Sequence, residues 1–168
     1  MKMEHEKEIS ISQNLLHEQL EQLITQSPRK KLWHGPFLAP TEIQRISTDF
    51  GVIRITPERG LYAHKALDIV NTPKSLVWAP QAGIIIVMNR YAYSGNTVVI
   101  DHGYGIFTLL FHLDSFAPTL ALGQKIQKGN PIGKLGMSGY ASGYHLHWEM
   151  RINNIPVDPM QWTKKIMN

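Results

Sequence analysis

From Phe37 onward the chain offers no stretch long and periodic enough for a helix. Short apolar runs (VIRI, ALDIV, SLVWA, GIIIVM, NTVVI, IFTLLF, KIQKG and HLHWEM) instead alternate with Gly, Pro, Asn and Asp. Runs of four to eight residues, rich in Ile and Val and bounded by turn residues, specify strands. The pattern is that of an all-β domain. No Gly-rich phosphate loop leads into a helix, which disfavours ATP and dinucleotide chemistry, and the spacing of the runs is too irregular for a repeat protein.

Ahead of this region, Leu16, Leu20, Leu23 and Ile24 recur at helical spacing, predicting one short amphipathic helix over Ser12 to Gln26 that Pro28 ends. RKKLWHGPFLAP then reads as a linker, so residues 1–36 form a helical extension and 37–168 the functional domain, with no chemistry expected before residue 37. At 168 residues the chain holds one domain with a real core. It contains no cysteine, which removes disulfides, thiolate zinc sites, iron–sulfur clusters and cysteine nucleophiles together. Any metal must sit on His and carboxylate. No run approaches the length of a membrane span, and the opening MKMEHEKEIS carries no apolar stretch of a secretion signal. The net charge of +4 lies wholly beyond residue 32 and would favour a polyanionic partner. Its basic residues are scattered, with only Lys164 and Lys165 adjacent, which speaks against nucleic acid and leaves a cell-wall polymer open.

Eight histidines carry the chemistry. His5, His17 and His34 fall in the tail, helix and linker and are expected to be idle. His145 and His147 alternate along a predicted strand, so both imidazoles project from one face while Leu146 and Trp148 pack behind. Two imidazoles on one face are costly unless a metal or a reaction uses their lone pairs. His64 and Asp68 are separated by an even number and share a face in an extended segment, with small Ala66 between them. Joined to the HxH pair they supply two nitrogens and one oxygen of an open zinc site. His112, at the end of IFTLLF, is the natural proton carrier beside whichever histidine of the HxH pair does not bind metal. His102 falls at a turn and is expected to be structural, and Glu149 is placed to orient a ligand histidine.

Other constellations fail. Gly136-Met137-Ser138-Gly139-Tyr140 lacks the last glycine of a nucleophile elbow and no helix follows, so a serine hydrolase is disfavoured. A glycosidase would need carboxylates scattered over Asp101, Asp114 and Glu149.

In order, HKALD, NTVVIDHGYG, FHLD, GQKIQKGNPIGKLGMSG and SGYHLHWEM resemble the lysostaphin and LytM type of peptidoglycan zinc endopeptidases over roughly Phe37 to Trp162. The resemblance implies a mainly antiparallel LytM-like domain with a groove along the sheet and Zn2+ at its floor. It implies His64, Asp68 and His147 as the metal ligands, and His112 and His145 as the histidines that activate water and stabilise the charged intermediate. The implied substrate is a peptide cross-link of bacterial peptidoglycan, which places the protein outside the cytoplasm, in periplasm or wall. Ala66 stands where the family's usual glycine lies and Tyr144 where its proline lies, which bears on substrate preference. Some members have lost their ligands and activate amidases; here all five positions are filled. Two other readings are a silent module that binds the wall or activates an amidase, with the helix as a lid, and a barrel-sandwich phosphocarrier suggested by GQKIQKGNPIG with His102 and His112.

Overall fold

The computed structural model describes residues 2–57 and 60–164. In chain order it contains α1 (Lys2–Ile24), β1 (Arg45–Thr48), β2 (Ile53–Thr56), β3 (Gly60–Ala63), β4 (Leu67–Val70), β5 (Leu76–Trp78) and β6 (Gly83–Tyr91). There follow β7 (Gly95–Asp101), β8 (Ile106–Phe116), β9 (Lys125–Ile126), β10 (Pro131–Leu135), β11 (Leu146–Ile152), β12 (Ile155–Val157) and a 3₁₀ turn (Pro159–Thr163). Ten strands form one antiparallel sheet with the order β1-β4-β11-β8-β7-β6-β9; β10 joins β5 to β8, and β12 folds back on β11. β2 and β3 make a separate hairpin. The expected all-β, antiparallel architecture with an N-terminal helix is what the chain adopts.

Every apolar run read from the sequence lies on a strand. β1, β3, β10 and β12 were not among those runs, because RIST, GLYA, PIGKL and IPV carry too few apolar residues to signal alone. They exist as strands because neighbours complete their hydrogen bonding.

Alternation along each strand sorts side chains onto two faces. One face, with Leu67, Ile69, Val98, Ile100, Leu110, Leu146 and Trp148, packs into the main core. The other presents Val87, Val99, Phe107, Leu109 and Phe111, which Leu16 and Leu20 of α1 cover. α1 begins ten residues earlier than the expected Ser12. Its buried stripe runs Ile9, Ser12, Leu16, Leu20, and the polar Ser12 breaks the apolar period just where the sequence signal stops. The Ser12 hydroxyl is satisfied by the Tyr93 N–H at 3.2 Å. Glu4 in the first turn suits the positive end of the helix dipole. Among the described residues no helix is long and apolar enough to cross a membrane.

Candidate active site

The site forms where β4, β11 and β8 lie side by side, just beyond the patch that α1 covers. The register sets Asp68 opposite His147 and His147 opposite Phe111. Because Leu146, Trp148 and Met150 enter the core, His147, Glu149 and Arg151 emerge on the helix-covered face. Phe111 stacks on His147 at 4.9 Å between ring centroids, only 7° from parallel.

His112 reaches the same face through a bulge. Pairing with β7 steps from Val98↔Leu110 to Asn96↔Leu113, so two residues of β8 oppose one of β7. His112 is the inserted residue, with φ 64°, a left-handed conformation that costs a non-glycine residue about 1 kcal/mol or more. Two hydrogen bonds hold it there: its N–H donates to Ser94 C=O at 2.8 Å, and its Nδ1 donates to Ser138 C=O at 2.8 Å. Gly139 lets the Ser138 loop close in, since a Cβ there would lie 2.3 Å from the Gly95 nitrogen. The Ser138 hydroxyl is itself structural, donating to Leu113 C=O and accepting from the Asn96 N–H.

His64 and Asp68 meet at 3.1 Å, though not along one extended strand. His64 closes the β2–β3 hairpin, its N–H bonded to Val52 C=O, and the chain turns through Lys65 and Ala66 before β4 begins. His145 likewise lies one residue ahead of β11 rather than within it. Its ring is 4.8 Å from that of His112, and its Nε2 is 3.9 Å from the Asp68 carboxylate. All five residues singled out from the sequence therefore converge.

Hydrogen-bond partners assign the tautomers. His64 Nδ1 donates to Asp49 C=O at 3.1 Å and His147 Nε2 donates to Glu149 at 3.0 Å. The opposite nitrogens, His64 Nε2 and His147 Nδ1, both face Asp68, the latter at 2.9 Å. One donor atom from each of His64, Asp68 and His147 falls within 4.8 Å of the others, and all three residues are buried. With the protons that these two nitrogens give to Asp68 displaced, two lone pairs and a carboxylate turned toward one point fit a divalent cation such as zinc. His112 and His145 both turn Nε2 inward, because Nδ1 is held by the carbonyls of Ser138 and Gly143.

Electrostatics follow from this packing. Burial would raise the Asp68 carboxyl, but hydrogen bonds from His147 and His64 hold it far below the usual carboxylate range. Burial would lower His147, yet hydrogen bonds to Asp68 and Glu149 raise it to about 9. Proton and cation thus compete for one nitrogen. Burial, with His147 and His145 nearby, pushes His112 down to about 3, so its ring is neutral at ordinary pH.

A cavity of about 1290 Å³ opens over the cluster, with Tyr144 on its lining. α1 also lines it, through Glu6, Gln13 and His17. His102 lies elsewhere, fully buried against Phe37, its Nδ1 donating to Ala82 C=O and its Nε2 facing the Thr108 hydroxyl. The phosphocarrier reading needs His102 and His112 together, whereas His112 contacts Tyr93, His145 and His147.

Burial lowers His102 from 6.5 to about 4, against the opposing Ala82 bond. Between those values the unfolded chain takes up a proton that the folded one refuses, so stability falls as pH drops through this window and is unaffected above it. His102→Asn should flatten the pH dependence there by up to about 1.4 kcal/mol per pH unit, read from urea midpoints of both proteins at pH 4 to 7. Equal slopes would refute it.

Residues 62–159 match peptidase family M23. The chain belongs to that family. The expected resemblance to lysostaphin and LytM peptidases lies within it. Among its relatives, peptidoglycan DD-endopeptidase ShyC of Vibrio cholerae is 30% identical over 122 residues, 72% of this chain and 28% of its own. DD-carboxypeptidase/endopeptidase Mpg of Neisseria meningitidis is 34% identical over 124 residues, covering 73% of this chain and 28% of its own. The chain thus spans between a quarter and a third of these relatives. In three dimensions it superposes on a zinc-containing peptidase from Vibrio cholerae with TM-score 0.70 and 29% identity, over 76% of this chain and 40% of the other. The M23 match covers the site from the residue before Ala63 through all five converging side chains and excludes α1.

Proposed function

We propose that this M23 domain is a zinc-dependent endopeptidase that hydrolyses peptide cross-links of bacterial peptidoglycan, acting outside the cytoplasm, in periplasm or wall. The observation that carries it is the convergence of His64 Nε2, His147 Nδ1 and the Asp68 carboxylate, with two further histidines beside them. His64, Asp68 and His147 would hold the zinc. Once bound, it would supply a Lewis acid that polarises the scissile carbonyl and makes water nucleophilic near neutral pH.

The chain's own residues do the rest. Asp49 C=O and Glu149 fix the two ligand imidazoles so that each offers one lone pair inward. His112 and His145 offer Nε2 lone pairs that can take the proton of the attacking water and return it to the leaving amine. The cavity gives an extended peptide access to them. Relatives named as peptidoglycan DD-endopeptidases support this substrate class, and the positive charge of residues 33–168 suits an anionic wall.

The test is digestion of purified peptidoglycan of defined cross-link chemistry. Zinc-loaded protein should release muropeptides identifiable by mass, and a chelator should stop release until zinc is restored. Zinc binding with no release from any cross-link type would leave a silent wall-binding or amidase-activating module instead.

A further inference from the structure

The face of β11 that carries His147 also carries Glu149 and Arg151, two charged residues with relative exposures of 4% and 9%. Their cross-strand neighbours are Leu109 and Phe107, and α1 lies above. A buried ion pair gains little for stability over apolar side chains of similar volume. Its presence beneath the helix therefore calls for another reason, and its hydrogen bonds supply one.

His147 Nε2 donates to Glu149 Oε1 at 3.0 Å. Arg151 grips the other oxygen, through Nε at 2.7 Å and Nη2 at 2.6 Å. Arg151 Nη1 donates to Asn154 Oδ1 at 2.8 Å. Asn154 Nδ2 then reaches His17 on α1, 3.1 Å from its Nδ1 and 3.3 Å from its backbone oxygen. Asn154 sits at φ 63° in the β11–β12 turn, a conformation asparagine tolerates better than most residues. The series is continuous from the helix to the imidazole that faces Asp68.

We propose that Glu149, Arg151 and Asn154 are positioning residues that couple helix α1 to His147, so that the docked helix sets the orientation of a metal-ligand imidazole. The proposal rests on the zinc-peptidase reading. It makes α1 part of the working unit although the family match begins only at Tyr62. Glu149 cannot rotate away from His147 while Arg151 holds it, and Arg151 is held in turn by Asn154, which bonds the helix.

Two variants of the full chain separate this from simple scaffolding. Asn154→Gly removes both links without backbone strain, since glycine accepts a positive φ. Asn154→Asp keeps an acceptor for Arg151 and loses the donor to His17. Leu20→Ala, at a fully buried helix position that bonds none of the three residues, serves as the packing control. The readouts are zinc affinity by chelator competition, the visible spectrum of the cobalt-loaded protein, and kcat against KM.

Both Asn154 variants should weaken zinc binding by about threefold to tenfold, shift the cobalt bands, and lower kcat with KM little changed. Leu20→Ala should lower the melting temperature and leave the cobalt bands in place. Wild-type affinity and spectrum in Asn154→Asp would remove the helix from the coupling and overturn the proposal. So would losses in both Asn154 variants confined to melting temperature. A wild-type protein that binds no zinc would overturn this proposal and the functional reading together, whereas tight wild-type binding with indifferent Asn154 variants would sink this proposal alone.

Discussion

Asp68→Ala is expected to abolish tight zinc binding and turnover together. Asp68 lies between two histidines, 3.1 Å from His64 Nε2 and 2.9 Å from His147 Nδ1, and it is the single carboxylate of the donor set. Its loss leaves two neutral nitrogens that no longer have a common anion to converge on. Outer partners of metal ligands are worth about 10- to 100-fold in affinity, so loss of a direct donor should exceed about 100-fold. Asp68→Asn keeps the shape and one acceptor oxygen while removing the charge, and should fall nearly as far if charge neutralisation is what Asp68 contributes. Chelator competition measures the affinity and muropeptide release the activity. An Asp68→Ala protein with full metal content and full turnover would dissolve the assignment of the metal centre.

The fold was legible where burial on both faces forces apolar runs, as in GIIIVM of β6 and IFTLLF of β8. It was illegible where a strand exists only through its neighbours, as in PIGKL of β10. The site was legible in residue identity more than in geometry. His64 and Asp68 were expected on one extended face; they meet because a hairpin end and a neighbouring strand are brought together. Even spacing did place Glu149 on the face of His147, since both lie within β11. The same i, i+2 step reaches Arg151, so the first part of the buried series was readable in principle. The bulge at His112 was not, because a left-handed backbone at a histidine is imposed by Ser94 and Ser138, which are distant in sequence. Nor was the first part of α1, where the buried stripe contains a serine satisfied by the distant Tyr93 N–H.

His112→Ala and His145→Ala should behave differently from any change at Asp68, leaving zinc bound while turnover falls by about 10²- to 10⁴-fold. Neither ring belongs to the compact donor group of His64, Asp68 and His147. Both point Nε2 inward with Nδ1 already committed to a carbonyl, which leaves Nε2 of each open for proton transfer. The two variants also differ from each other in stability. Removing the His112 imidazole frees the Ser138 carbonyl and leaves alanine strained at φ 64°, so His112→Ala should be the less stable of the pair. His112→Gly, which accepts that φ, should recover part of the stability without recovering activity. His145 sits in the turn ahead of β11 with its side chain 18% exposed, and truncation there should cost the fold little. Metal content, urea midpoints and initial rates on one preparation of each variant separate these effects. If the His112→Gly protein hydrolysed peptidoglycan at the wild-type rate, His112 would be a structural residue of the bulge and proton transfer would rest on His145 alone.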